Sequence, residues 1–394
     1  LLIVSLAMKE IMKNILIYIL LLSTSLHAQV DTSLVAIKNY TIDSKNLDTK
    51  RNYWVSLPVD YDTTHTYPVL FILDAESRFS LTNTLEKELS SNCKIPQHIV
   101  VGITHPNRRA DMPFSTSKVN YSGEIDTTSF NAKDGTDGAK FLAFIEEELI
   151  EEINREYSTS GFNVLIGHSL GGYFCAYILP RQKSFQSLQI YDPSIWYSAG
   201  EAIHEIDSKL SRNTQCAIFL ASSGNFENQF AYHHKKIEEL YQTLNQFSNI
   251  RIEYKTYENE HHNAMYLYSF LDGMAMLYDG YELKKGGWKT KIDVSTFEEH
   301  YEQFSEKIQY EFVPPTALYR EIGEINFHQK NYENCIEALE IYVNKHADDP
   351  YALELIGDAY AIIGKRKQSL KSYTKAYVLS PDNNRLKGKI KKAS

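Results

Sequence analysis

The sequence predicts an α/β fold: a mainly parallel sheet covered by helices on both faces, followed by a small all-α domain. Three observations carry this expectation. Short apolar runs alternate with longer amphipathic stretches up to about residue 280, a glycine-rich turn joins one apolar run to an apolar helix, and the C-terminal part repeats with a period of 34 residues.

Taken in order, Arg51 to Leu57, Tyr67 to Leu73 and His98 to Ile103 are apolar enough, and short enough, to be strands. From Gly138 to Tyr157, the residues Ala139, Phe141, Leu142, Phe144, Ile145, Leu149 and Ile153 fall at helical spacing and predict one long amphipathic helix. A strand at Asn163 to Ile166 and a helix from Leu170 come next. Further strands are expected near Leu188 to Tyr191, Ala217 to Ala221 and Ile250 to Tyr257, with a helix around Ala264 to Tyr278. Strands that alternate with helices in this way build a parallel sheet buried on both faces.

The chain has 394 residues, of which 43% are hydrophobic and 23% charged, ample for a large core beside a smaller one. Its 41 basic and 50 acidic residues give a net charge of −9, which disfavours binding nucleic acid or anionic lipid through charge. The basic tail at Lys387, Lys389, Lys391 and Lys392 reads as a solvated helix end. Near the N-terminus, Lys9 and Lys13 precede the apolar run Ile15 to Leu22, and small residues lead to Ala28. Residues 1–28 therefore read as a signal peptide, its apolar run too short to span a bilayer, although Leu26 is larger than usual at its position; an uncleaved anchor is the alternative. Export to the periplasm or the medium is the expected destination. Cys93, Cys175, Cys216 and Cys335 match no metal spacing and read as buried, unpaired thiols.

The glycine-rich turn is Gly167-His168-Ser169-Leu170-Gly171-Gly172. G-x-S-x-G between a strand and a helix is the frame of a nucleophile elbow, in which a sharp turn exposes the serine above the carboxyl edge of the sheet. Ser169 is the expected nucleophile. A serine needs a base and a carboxylate that orients it, and in this fold the chain order is Ser, then Asp or Glu, then His. His262, in the segment Tyr257 to Ala264 after the last strand, is the expected base, with His261 next; His233 and His234 lie in a charged helical stretch and are expected to face solvent. For the acid, Glu227 after the Ala217 to Ala221 strand is preferred and Asp192 is the alternative. The oxyanion donors are expected to be the amide of Leu170 and that of Glu76 or Ala75, in the loop after the Tyr67 to Leu73 strand. This chemistry requires no metal or organic cofactor, and the expected ligand is a small-molecule ester.

Several blocks in matching order resemble the Putative esterase family of the α/β-hydrolase superfamily, which holds esterase D, enterochelin-type siderophore esterases and feruloyl esterases. They are Tyr67 to Asp74, Gly102 to Pro113, the helix before the elbow, the elbow itself and Asp192 to Tyr197, so that the resemblance covers about residues 35 to 282. It implies an α/β-hydrolase fold and a serine esterase with Ser169 as nucleophile and His262 as base. The chain departs from the pattern at Ala75, where relatives often have glycine, at Asp192, where they often have serine, and over His262 to Met265. In this pattern Arg109 pairs with Asp111 near the cleft, or forms a structural ion pair, and Trp196 lines the acyl or alcohol pocket, or only packs.

At the C-terminus, Ile322-Gly323 and Ile356-Gly357 lie 34 residues apart, as do Leu339 and Tyr373, and Pro381 closes the second unit. The pattern resembles two tetratricopeptide repeats, departing from it at Asn326, Cys335 and Tyr342. The expected organisation is a signal peptide at 1–28, an esterase domain at 29–285, a connecting helix and linker at 286–315, and two repeats with a capping helix at 316–394. Two repeats bury little surface alone, so they should dock on the hydrolase or be capped, with a protein or peptide partner as a further expectation. An acyltransferase of the same fold, or an interaction protein working through its repeats, are the alternative functions.

Overall fold

Val69 and Phe71 of one apolar run point to one face of the sheet, while Leu70 and Ile72 point to the other, and all four are fully buried. Such a strand needs cover on both sides, which decides the architecture. The computed structural model describes residues 37–126, 135–224, 230–284 and 292–394; the expected signal peptide and Glu227 lie outside them. The described residues from Lys38 onward form one compact unit.

The strands are β1 (Lys38–Ser44), β2 (Thr49–Ser56), β3 (Tyr67–Ile72), β4 (Ile99–Ile103), β5 (Thr159–His168), β6 (Ser187–Tyr191), β7 (Cys216–Ser223) and β8 (Ile250–Tyr257). They form one sheet in the order β1-β2-β4-β3-β5-β6-β7-β8. β1 pairs with β2, and β2 with β4, antiparallel; every other pair is parallel. β1 lies outside the strands expected from sequence because it is an edge strand whose residues are mostly exposed, with no apolar run to mark it.

The helices are α1 (Ala75–Ser91), α2 (Arg108–Asp111), α3 (Gly138–Ala143), α4 (Ile150–Glu156), α5 (Leu170–Ile178), α6 (Glu201–Lys209), α7 (Ala231–Leu244), α8 (Met265–Leu277), α9 (Val294–Ile308), α10 (Thr316–His328), α11 (Tyr332–Lys345), α12 (Pro350–Ile362), α13 (Arg366–Leu379) and α14 (Asn384–Ala393). Between α3 and α4 the segment Phe144–Leu149 is π-helical, so the single helix expected there is continuous but widened in its middle. Glu146 and Glu148 on that segment accept backbone N–H groups from two different loops, at Lys183 and Ser184 and at Lys45 and Asn46.

Two apolar clusters correspond to the two faces of the sheet. One packs Val69, Phe71 and Leu165 against α3, α5, α6 and α7; the other packs Leu70, Ile72, Val164 and Phe219 against α1 and α8. This second cluster continues through Phe297, Tyr301 and Phe304 of α9 to Leu318, Tyr319 and Ile322 of α10, so one core joins the sheet to the C-terminal helical domain. Each large side chain buried there contributes about 1.5–3 kcal/mol. The fold is that of an α/β-hydrolase with a helical C-terminal domain. Cys93, Cys175, Cys216 and Cys335 are all buried and none is in a disulfide, and among the described residues no helix is long and apolar enough to cross a membrane.

Candidate active site

Parallel strands bring their carboxyl ends to one rim of the sheet, and three non-glycine residues adopt positive φ there: Asp74 after β3 (56°), Ser169 after β5 (59°) and Asp192 after β6 (41°). Left-handed backbone at residues with a Cβ costs on the order of 1–3 kcal/mol each, which surrounding structure must offset. Gly167 permits the Ser169 turn, since a Cβ there would stand 2.2 Å from the carbonyl oxygen of Gly171. The Ser169 N–H donates to the Tyr191 carbonyl at 3.0 Å, and its own carbonyl accepts from Tyr173 and Ser194. Ser169 thus has the backbone geometry of the elbow expected from sequence, with its Oγ 3.3 Å from Ser194 Oγ.

The carboxylate that meets His262 is Asp192. His262 Nδ1 donates to Asp192 Oδ2 at 2.6 Å. Glu227, the acid preferred from sequence, falls in a segment outside the described residues; Asp192, the alternative, is fully buried and accepts four hydrogen bonds. The other three come from the Ser223 amide (2.9 Å), Ser223 Oγ (2.7 Å) and His233 Nε2 (3.2 Å). Burial pushes the Asp192 carboxyl upward, but the hydrogen bonds and charge of His233 and His262 outweigh it and hold the group well below the usual carboxylate range. The loop that carries His262 is closed onto β7 at Gly224, whose N–H donates to the Glu260 carbonyl and where a Cβ would come within 2.1 Å of Glu258.

His233 corrects the sequence reading, which put it in solvent. It is buried, because on α7 it shares a stripe with Ile237, Leu240 and Leu244, all buried; that helical spacing was the available signal. His234 is half-buried and lies 3.1 Å from Ser222 Oγ. His168, the variable residue of the elbow, was also missed. Its Nε2 donates to the His262 carbonyl at 2.7 Å and its Nδ1 accepts from Arg78 at 3.1 Å, because a carbonyl can only accept and a guanidinium only donate. Burial, then the nearby His262 and Arg78, push the His168 imidazole well below its ordinary value, so it is a neutral brace for the His262 loop.

Ser169 and His262 wall two cavities. The first, about 360 Å³, is lined by Asp74, Glu76, Arg78, Arg108 and Asn263. Arg108 donates to Asp74 from Nε (2.5 Å) and Nη2 (3.0 Å) and to the His168 carbonyl, tying β3, β5 and α2 together. Of the adjacent pair, Arg108 rather than the exposed Arg109 reaches this wall, and Asp111 is taken up in a buried cluster with Arg51 and His105. Ala75 and Glu76 open α1 and Leu170 opens α5; first-turn amides have no acceptor within their helix, so both helix N-termini present N–H donors and positive dipole ends to this rim. The second cavity, about 280 Å³, is lined by Tyr121, Trp196, Phe230, His233, His234 and His261 together with Ser169 and His262. Trp196 is therefore part of a cavity wall. Among the described residues, Asp192, His233 and His262 are the group whose ligand-type atoms could hold a metal, all within 4.8 Å; their mutual hydrogen bonds account for that closeness.

Residues 44–273 match the Putative esterase family. Ferri-bacillibactin esterase BesA of Bacillus subtilis (strain 168) is 27% identical over 246 residues, spanning 56% of this chain and 82% of the relative. Among solved structures, an IroE-like serine hydrolase from Shewanella oneidensis superimposes with a TM-score of 0.66 at 22% identity, covering 78% of this chain and 99% of the other. An uncharacterised protein from Capnocytophaga ochracea gives 0.58 at 17% identity, covering 90% and 99%. The match to the family spans more than half of the sequence, and the chain belongs to the Putative esterase family, as a carboxylic-ester hydrolase.

Proposed function

We propose that the chain hydrolyses its ester through an acyl-enzyme on Ser169, with His262 as general base and Asp192 as the orienting acid. The single observation that supports this most is the 2.6 Å bond from His262 Nδ1 to a buried Asp192, at the rim where the Ser169 elbow opens. Ser169 Oγ attacks the ester carbonyl while His262 Nε2 takes its proton; the imidazolium is stabilised by Asp192 through Nδ1–H. Bonds between nucleophile and base commonly tighten only when substrate is bound. The oxyanion is received by the amides of Leu170 and of Glu76 or Ala75. His262 then protonates the leaving alcohol, and a water deprotonated by the same base releases the acid.

BesA is named for ferri-bacillibactin, so a siderophore-type ester is the first natural substrate class to offer this chain. The two cavities support it: one side of Ser169 has arginines and the other has aromatic rings. We also propose export, supported by the charged and apolar N-terminal stretch. For the C-terminal domain we propose two tetratricopeptide-like helix pairs, α10 with α11 and α12 with α13, capped by α14. Gly323 packs against Leu339 and Gly357 against Tyr373, equivalent contacts 34 residues apart in sequence. The test of the enzymatic reading is turnover of p-nitrophenyl esters from acetate to octanoate beside Ser169→Ala and His262→Ala. Turnover in the parent that both variants lack is expected; turnover that survives Ser169→Ala refutes it.

A further inference from the structure

Asp192 is shared between two imidazoles, and only one of them belongs to the mechanism above. We propose that His233 is a positioning residue for that reaction, holding the Asp192 carboxylate in the orientation that serves His262; this rests on the serine-esterase reading.

The distribution of donors carries the inference. Asp192 Oδ1 accepts from the Ser223 amide and His233 Nε2, while Oδ2 accepts from Ser223 Oγ and His262 Nδ1. A carboxylate turns readily about its Cβ–Cγ bond, and Ser223 alone donates to both oxygens from one residue. His233 adds a second, independent donor to Oδ1, which leaves Oδ2 directed at His262. The bond to His262 is the shorter, 2.6 Å against 3.2 Å, as expected if His233 steers and His262 is served.

The tautomer of His233 follows from the same contact. A carboxylate with this many donors only accepts, so the His233 proton sits on Nε2. Its Nδ1 is then buried and has no hydrogen-bond partner among the described residues. An orphaned buried polar atom is unfavourable, and an apolar side chain would fill the same space without it. What the imidazole supplies and a leucine would not is the N–H to Asp192. The side chain is also built in rather than incidental. α7 anchors it through Ile237, Leu240 and Leu244, and the groups facing it are Asp192 from the end of β6, His262 from the loop after β8, and His234 from its own helix. Through this contact a helix that supplies neither nucleophile nor base helps set the geometry of both.

The experiment is steady-state kinetics of the full chain on p-nitrophenyl butyrate with His233→Leu, His233→Gln and His233→Asn, and with His233→Leu combined with Asp192→Asn. Losing one hydrogen bond to a charged acceptor should lower kcat roughly tenfold in His233→Leu, with KM unchanged. Glutamine places an N–H at the depth of Nε2 and should restore most of the rate; asparagine is too short to reach and should behave as leucine. In the Asp192→Asn background, His233→Leu should cost less than about twofold more, since the two act as a unit. Full activity in His233→Leu, equal losses in glutamine and asparagine, a change in KM alone, or an undiminished loss in the Asp192→Asn background would each overturn the proposal. If the leucine variant fails to fold by circular dichroism, the glutamine and asparagine pair decides. Ser169→Ala separates the two levels: activity retained there removes the esterase reading itself, whereas an inactive Ser169→Ala beside a fully active His233→Leu removes only this inference.

Discussion

The rim of the sheet and the C-terminal helices are held in place by different means. At the rim, positive-φ residues end three strands, and a buried carboxylate collects four donors. From α10 onward Lys330 is the one non-glycine residue at positive φ among the described residues, and side chains cap two of the five helices: Asp349 accepts two amides at the start of α12 and Asn383 two at the start of α14. Apolar contact, repeated at a fixed interval, supplies the rest. The difference teaches where to look for chemistry, because local rules are broken only where the surrounding structure over-determines the result. Substitutions at the rim should therefore change rate out of proportion to stability, and substitutions in the helices should do the reverse.

The largest contrast is expected at Ser169. Ser169→Ala should lower kcat by on the order of 10⁴-fold or more while leaving the thermal midpoint near that of the parent, measured by ester turnover and calorimetry. Gly167→Ala comes next. Its Cβ has no room beside Gly171, so the elbow must shift, and a loss of roughly 100-fold in kcat is expected from a displacement of about 1 Å. On the other side of the comparison, Phe297→Ala on α9 removes a fully buried ring from the core that joins sheet and helices. A loss of about 3–5 kcal/mol is expected by urea titration, with kcat of the remaining folded fraction little changed. Val378 on α13 is 74% exposed, and Val378→Ser should stay within about 0.5 kcal/mol.

A pH titration sharpens the same distinction. Asp192 is held below its unfolded value, so its contribution to stability is fully present above about pH 4 and is lost as pH falls through the depressed folded value. Asp192→Asn should flatten that acid limb of the stability curve, which equilibrium unfolding between pH 2 and pH 6 measures.

The parts visible in sequence were those with a local signature. Apolar runs announced the central strands, and the strand, G-x-S-x-G and helix succession announced the elbow. The presence of His262 at this rim was legible from its place after the last strand. The carboxylate that meets it was not, because Asp192 and Glu227 both follow strands; what distinguishes Asp192 is that β6 lies beside β5 in the sheet, next to Ser169, and sheet order is not written in any one segment. His233 is 41 positions from Asp192 in sequence and reaches it only when α7 packs. Two adjacent histidines among lysines and glutamates suggest a solvated face, and the burial of one follows from the apolar stripe below it. Arg108 and Arg109 are likewise adjacent, and only the placement of α2 decides which one meets Asp74.

The most direct measurement is kcat for Asp192→Asn beside Glu227→Gln on one p-nitrophenyl ester. A fall of on the order of 10⁴-fold in the first, with the second close to the parent, is the expected result. The opposite pattern, with Glu227→Gln inactive and Asp192→Asn active, would contradict the assignment of Asp192 as the partner of His262.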